Sequence, residues 1–286
     1  MIREKYIDLH SHTTYSDGTF TPRELVKEAA AKSLAAVAVT DHDTVNGISQ
    51  ALEAGKEFNV EVISGIEFAA YYPEPNGVEI HIVGLFLDHT SEKLIKKTNE
   101  ITENRRRRNL EMAERLTSMG MPVSYAELTE EAGGDSYSRT HFANIMLKKG
   151  YVKTKREAFG KYISHGKPAF VPRILPTPKE CIDIIKNSGG VSILAHPTLY
   201  GMNYLQIKNM AKCLKDMGLC GIETMYSTYK PEQQREITRI AEALNLKKSG
   251  GSDFHGANKP DISLGIGRGN LRIPEKFLTE LKNARP

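Results

Sequence analysis

The chain has 286 residues, of which 40% are hydrophobic and 26% charged, with a formal net charge of +4. That length can bury one large core, or one core carrying a sizeable insertion. No apolar run approaches the roughly 20 residues a helix needs to cross a bilayer, which argues against a membrane-spanning helix. The N-terminal Met1-Ile2-Arg3-Glu4-Lys5 lacks a signal-peptide core, and Cys181, Cys213 and Cys220 form no Cys-x-x-Cys pair. Disulfides and thiolate metal sites are therefore not expected, and a cytoplasmic location is.

Strand and helix signals alternate from the start. Lys5–Leu9 reads as a strand. Thr21-Pro22-Arg23-Glu24 is a capping box with proline at the first helical position, so a helix is predicted from there to about Ser33. A buried strand over Ala35–Thr40, a helix from Val45 to Glu57, and strands over Glu61–Ala70 and Val78–Leu87 follow. From about Thr90 to Val171 the rhythm breaks into predicted helices: Ser91–Met119, Ser124–Ala132, Arg139–Lys149 and Lys153–Ser164. It resumes at Thr177-Pro178-Lys179-Glu180, a second capping box opening a helix to Ser188. Strand Val191–His196, helix Tyr204–Met217, strand Gly221–Met225, helix Pro231–Leu244 and strand Lys247–Ser252 complete the pattern. Such alternation predicts parallel strands with right-handed crossovers. About seven units predict a barrel with its site at the carboxyl ends of the strands. The expected domains are a discontinuous barrel, 1–90 with 172–286, and an inserted helical subdomain, 91–171.

Of nine histidines, His10, His12, His42, His196 and His255 fall at predicted strand ends. His81 lies within a strand, facing opposite to Ile80 and Ile82. His10 and His12, two apart on extended chain, point to one side, as chelation of a single metal requires. Acidic residues accompany them in Asp17-Gly18, Thr40-Asp41-His42-Asp43, Gly65-Ile66-Glu67 and Ser252-Asp253-Phe254-His255. Imidazoles and carboxylates grouped at strand ends suit borderline-hard divalent metals such as Mn, Fe or Zn. A structural role for a single histidine is ordinary; six placed in this way would need as many coincidences.

These motifs, together with His196-Pro197, resemble the polymerase-and-histidinol-phosphatase (PHP) family. The resemblance covers both ends of the chain and leaves the insertion outside the general pattern. It implies an α/β fold, a distorted (βα)7 barrel of PHP type, holding two or three divalent ions. It assigns His10, His12, Glu67 and Asp253 to a first metal and Asp17, His42 and His255 to a second. Glu67 would bridge to a third metal held with His81 and His196. Asp17 stands where many members have histidine, as in the nucleotide-phosphatase branch. The implied reaction is phosphoester hydrolysis by metal-activated hydroxide, with His42 or His255 near the leaving oxygen as general acid. Asp41 and Asp43 are expected to orient histidines rather than bind metal.

The insertion bears on the substrate. Residues 104–175 hold 14 Lys/Arg against 7 Asp/Glu, a basic segment suited to an anion. On the predicted helix Arg105, Arg108 and Asn109 share a face, with Arg106 adjacent. Ser138-Arg139-Thr140-His141-Phe142 starts another helix, where backbone N–H groups and Arg139 favour an anion; His141 belongs to the same candidate set. This basic insertion resembles a PHP branch of phosphatases acting on nucleoside monophosphates and 3′,5′-bisphosphates, with related 5′→3′ exoribonucleases on short RNAs. The expected partner is thus a small nucleotide or a short single-stranded oligonucleotide, with no membrane and no obligate protein partner. Histidinol-phosphate phosphatase, or a non-catalytic binding protein stabilised by metal, are the alternatives.

Overall fold

The strands follow one another in chain order around a single sheet, β7-β6-β5-β4-β3-β2-β1, with β8 added beside β1. The computed structural model describes residues 5–74, 77–132 and 138–286. Its elements are β1 (Tyr6–Asp8), α1 (Pro22–Ala31), β2 (Ala36–Val39), α2 (Ile48–Phe58), β3 (Glu61–Tyr72) and β4 (Val78–Leu85), then α3 (Glu92–Ser118), α4 (Tyr125–Ala132), α5 (Arg139–Lys148) and α6 (Lys155–Ala158). After these come α7 (Pro178–Asn187), β5 (Val191–Leu194), α8 (Tyr204–Asp216), β6 (Gly221–Tyr226), α9 (Pro231–Ala243), β7 (Lys247–Gly251), β8 (Ile273–Pro274) and α10 (Glu275–Lys282). The chain divides into two compact units, Met1–Lys96 with Leu175–Pro286, and Lys97–Ile174.

Both capping boxes form. Thr21 N–H donates to Glu24 Oε2 (2.8 Å) while Glu24 N–H donates back to Thr21 Oγ1 (3.2 Å). Thr177 and Glu180 repeat the arrangement at α7 (2.7 and 3.3 Å). Each box satisfies two N–H groups that the first turn would leave orphaned. The barrel core gathers Ile7, Leu9, Ala36, Ala38, Val83, Leu85, Ile193 and Ile273 into one buried cluster. Small alanines stand beside branched side chains there, so neighbouring strands can curve around a filled interior. In the second unit Met112, Leu116, Leu128, Phe142, Met146 and Ile163 form a separate core.

Three expectations need correction. The strands are not all parallel: β3–β4 and β4–β5 are antiparallel, and so is β1–β8. Five residues between Tyr72 and Val78, among them Pro73 and Gly77, are too few for a crossover helix, so β4 must turn back on β3. The predicted helix over Lys153–Ser164 is α6 followed by a π-helical turn, Phe159–Ile163. Strand β5 ends at Leu194, and His196 sits beyond it in a turn with φ +27°. The pairing β1–β8 and helix α10 lie after the last predicted strand, where a two-residue strand leaves no period to read.

The sheet nearly closes on itself. Beyond its pairing with β8, β1 meets β7: Leu9 N–H donates to Gly250 O (3.2 Å) and Asp253 N–H to His10 O (2.8 Å). The buried Asp8 carboxylate braces this seam, Oδ1 accepting from Ser252 N–H (2.9 Å) and Oδ2 from Gly265 N–H (2.7 Å). At the closest approach stands Gly251, where an added Cβ would collide with His10 Cβ and lie 2.6 Å from His10 N. Only a residue without a side chain lets the two strands meet there. Gly251→Ala is therefore expected to destabilise the protein by about 1–3 kcal/mol, the usual range for overpacking. A lower urea midpoint with an unchanged slope would show this; an unchanged midpoint would mean that the seam yields freely.

Candidate metal centre

The buried Glu67 carboxylate lies in β3, at a point where β2 has already ended and β4 still pairs alongside. Five imidazole nitrogens surround it. His81 Nδ1 and His196 Nε2 lie 2.9 Å from Oε1, and His10 Nε2 lies 3.3 Å from it. His42 Nδ1 and His12 Nε2 lie 3.0 and 3.3 Å from Oε2. The rings arrive from separate places: the end of β1, the turn after β2, the body of β4, and the turn after β5. Register explains His81, which pairs directly with Ala69, two residues beyond Glu67 on the facing strand; alternate residues share a face.

Asp17 and Asp253 extend the group. Asp17 Oδ1 is 3.1 Å from His255 Nε2 and 3.7 Å from His12 Nδ1, and its Oδ2 is 3.9 Å from His42 Nε2. Asp253 Oδ1 is 3.2 Å from His12 Nε2, 3.7 Å from His10 Nε2 and 3.4 Å from His255 Nδ1. All nine residues singled out as ligands thus converge. Three overlapping sets have donor atoms within 4.8 Å of one another: His12, Asp17, His42 and His255; His10, His12 and Glu67; His42, Glu67 and His81. Among the described residues His12, His42 and Glu67 each belong to two sets, whereas the sequence leads us to expect only Glu67 to be shared.

Hydrogen bonds behind the rings decide which nitrogen faces inward. His10 Nδ1 lies 2.8 Å from Glu223 Oε1, and His255 Nδ1 lies 2.8 Å from the Asp253 carbonyl. Both partners only accept, so each Nδ1 carries the proton. Ser16 donates its hydroxyl to Asp41 Oδ1 (2.6 Å), which leaves its oxygen to accept from His12 Nδ1 (3.4 Å). All three rings then turn Nε2 toward the carboxylates, as metal-ligating histidines do. Asp41 therefore acts on His12 through Ser16, and it also takes bonds from Thr13 N–H and Oγ1. Asp43 Oδ1 accepts from Ala69 N–H (3.2 Å) on β3. Neither aspartate sits among the donor sets.

The protonation pattern follows from this crowding. Burial opposes charge on Glu67, yet His10, His81 and His42 hold its carboxyl well below the usual range. Burial likewise opposes charge on Asp17 and Asp253, and the facing histidines keep both carboxyls low. His12 is pushed down by burial, with His255 and His42 reinforcing the effect. Against the same burial, Glu67 and Glu223 raise His10 well above its ordinary value, Asp17 raises His255, and Glu67 raises His81 to about 10.

A cation suits this arrangement on its own evidence. Among the described residues, His10 Nε2, His12 Nε2, Asp17 Oδ1 and His196 Nδ1 are buried without a hydrogen-bond partner. Each such atom costs about 1–3 kcal/mol if left unsatisfied. A nitrogen and oxygen donor set of this kind fits Mn, Fe or Zn.

The six residues expected to bind substrate lie in the second unit, and several are engaged within it. Arg108 and Asn109 are buried; Arg108 donates to Val171 O (3.3 Å) and to Asn109 Oδ1 (2.6 Å). Arg106 pairs with Glu103 (2.8 Å), and Arg105 is half-buried. The Arg139 guanidinium stacks over Phe170 at 5.6 Å, and His141 Nδ1 accepts from Ser138 N–H (3.1 Å). Sequence reasoning missed Glu223, Tyr226 and Lys259. Tyr226 and Lys259 both donate to Asp253 Oδ2 (2.6 Å), which leaves Oδ1 turned toward the histidines. Glu223 was legible as a lone acid inside a buried strand; Lys259, in an irregular loop, offered no signal.

The family model described as "PHP domain" matches residues 8–159. The chain belongs to the PHP-domain family. It is 34% identical to a 5′-3′ exoribonuclease of Haemophilus influenzae over 88% of this chain and 90% of that protein. It is 31% identical to a 3′,5′-nucleoside bisphosphate phosphatase of Chromobacterium violaceum over 87% of each chain. Among solved structures, a chain from Bifidobacterium adolescentis described as a candidate metal-dependent phosphoesterase superposes with a TM-score of 0.82 at 29% identity, covering 97% of this chain and 95% of that one.

Ligand nitrogens must be free of protons to bind a cation, so binding here should release protons. Because His10, His81 and His255 are raised, the apparent affinity for Zn²⁺ should climb as pH rises through neutrality and go on climbing toward the His81 value of about 10. Calorimetric titration of chelator-stripped protein in buffers of different ionisation enthalpy measures this directly. A binding enthalpy independent of the buffer would contradict it.

Proposed function

We propose that this hydrolase of phosphoester bonds removes phosphate from nucleotides, either a nucleoside monophosphate or a 3′,5′-bisphosphate, or acts at the 5′-phosphorylated end of a short oligonucleotide, with two or three divalent ions at the nine-residue cluster. The observation that carries the reading is a single buried carboxylate with five imidazole nitrogens within 3.3 Å. The printed activities of the exoribonuclease and bisphosphatase relatives support the nucleotide class. A donor set of six imidazoles and three carboxylates supports the metals. When bound, divalent ions would activate water and neutralise charge building on the phosphoryl oxygens.

The chain's own groups divide the remaining work. Glu67, with histidines at both of its oxygens, would hold cations on either side and offset the repulsion between them. Asp253 is held with Oδ1 inward by Tyr226 and Lys259. His42 or His255 is the candidate proton donor to the leaving oxygen, a role open to either only while its ring holds no cation. His42 Nδ1 faces Glu67, its Nε2 is turned away toward Asp17, and its side chain is 19% exposed against 5% for His255. His42 is thus the more open of the two, although both lie among the metal donors.

Glu67→Gln tests the centre, because it keeps the shape and removes the charge. Metal content should fall and kcat/KM should drop by at least about 100-fold, the upper range seen for weaker perturbations of metal sites. The chelator-treated variant should lose some stability but stay folded, as its circular dichroism would show. Full metal occupancy with near-normal turnover would refute a shared carboxylate. Substrate class is tested on AMP, 3′,5′-bisphosphoadenosine, histidinol phosphate and a 5′-phosphorylated short RNA. Turnover of one or more nucleotides well above histidinol phosphate is expected, and the reverse order would favour a histidinol-phosphate phosphatase.

A further inference from the structure

Glu223, in the middle of β6, is a buried carboxylate. It reaches two histidines from two other strands. Its Oε1 lies 2.8 Å from His10 Nδ1, at the end of β1, and its Oε2 accepts from the backbone N–H of His196 (2.7 Å), past the end of β5. His196 holds φ at +27°, a region that residues with a side chain rarely adopt. A peptide placed there persists only when its surroundings over-determine it. The Glu223 oxygen is one such restraint.

We propose that Glu223 is a positioning residue of the centre, coupling His10 and His196 so that both present the correct nitrogen at once. The chemistry is one of counting donors and acceptors. His10 Nδ1–H and His196 N–H are two donors, and they need two acceptor oxygens. A carboxylate has two and no proton to offer. With its Nδ1–H donating to Glu223, His10 turns Nε2 toward Glu67 and Asp253, at 3.3 and 3.7 Å, where it would offer its lone pair to a cation. The His196 turn, held by the other oxygen, keeps Nε2 2.9 Å from Glu67. None of the donor sets contains Glu223 itself, so its action is through the rings rather than on a cation. The inference rests on reading the cluster as a metal centre.

Glu223→Gln is the informative change, since a carboxamide has one acceptor oxygen for the two donors. If that oxygen stays with His196 N–H, the amide N–H₂ faces His10 Nδ1 and forces the ring proton onto Nε2, which removes a ligand. If it serves His10, the His196 turn loses its restraint and meets a second donor. Zn²⁺ alone, titrated calorimetrically into chelator-stripped protein, should bind about 10- to 100-fold more weakly to the variant. In the zinc-loaded wild type, ¹⁵N shifts should show His10 with Nδ1 protonated and Nε2 metal-bound, and this signature should be lost in Glu223→Gln. Glu223→Asp keeps the two acceptors but shortens the arm, so it should recover part of the affinity. Equal zinc affinity in wild type and Glu223→Gln would overturn the proposal. So would a loss of affinity matched by an equal loss of stability in the chelator-treated variants with no rescue by aspartate, which marks a purely structural acid. A wild-type protein that takes up no zinc would instead overturn the metal reading, a result distinct from equal affinities.

Discussion

The constraint on which the rest of this molecule depends is the burial of one carboxylate, Glu67, among five imidazoles. A buried charge is tolerated only when it is matched closely, since desolvation in a low-dielectric interior would otherwise drive the group to its neutral form. Here the matching groups come from four different strands or strand ends, so the charge is stable only if the whole barrel is assembled. Fold and site are therefore one object: the sheet must curve until β1, β4 and β5 all aim at the same point on β3.

The backbone shows how that curvature is reached. Strand β3 runs for 12 residues and outlasts β2, which exposes Glu67 to the turn carrying His42; Asp43 N–H then donates to Glu67 O (3.0 Å) and Glu67 N–H to Asp41 O (3.2 Å). The antiparallel return of β4 sets His81 beside the same carboxylate, a placement that a parallel strand entering from the other end would not give. At the seam, Gly251 lets β1 come into backbone contact with β7, and Asp8 ties the loops on both sides. These devices spend local regularity to gain convergence, and His196 and Asp253 hold positive φ of +27° and +55°.

Behind the donor atoms lies a second layer of oxygens that fixes ring orientation. Glu223, Ser16 with Asp41, and the Asp253 carbonyl each take the Nδ1 side of a ring. This layer turns a crowd of titratable groups into an ordered donor set. It also separates a centre built for cations from an ordinary salt-bridge network, in which buried polar atoms would find partners among themselves. The PHP-domain family and the phosphoester-hydrolysing relatives give that centre its chemical context.

Much of this was legible in the linear chain because it is carried by short-range signals. The capping boxes at Thr21 and Thr177 marked two helices, periodicity marked the strands, and clustered His and Asp at strand ends marked the site. What the sequence could not express is anything that depends on distance across the barrel. The antiparallel direction of β4 follows from a short connection whose composition alone did not outweigh the alternating pattern. The role of Glu223 depends on two strands brought together by curvature, and Lys259 reaches Asp253 from a loop without periodicity. Arg108 and Asn109 show the same limit from the other side: an arginine run reads as exposed charge, whereas packing buried part of it against Val171. Residue type and spacing determined which groups could bind cations. Only the tertiary structure decided which nitrogen each ring presents, because that is set by the oxygen standing behind it.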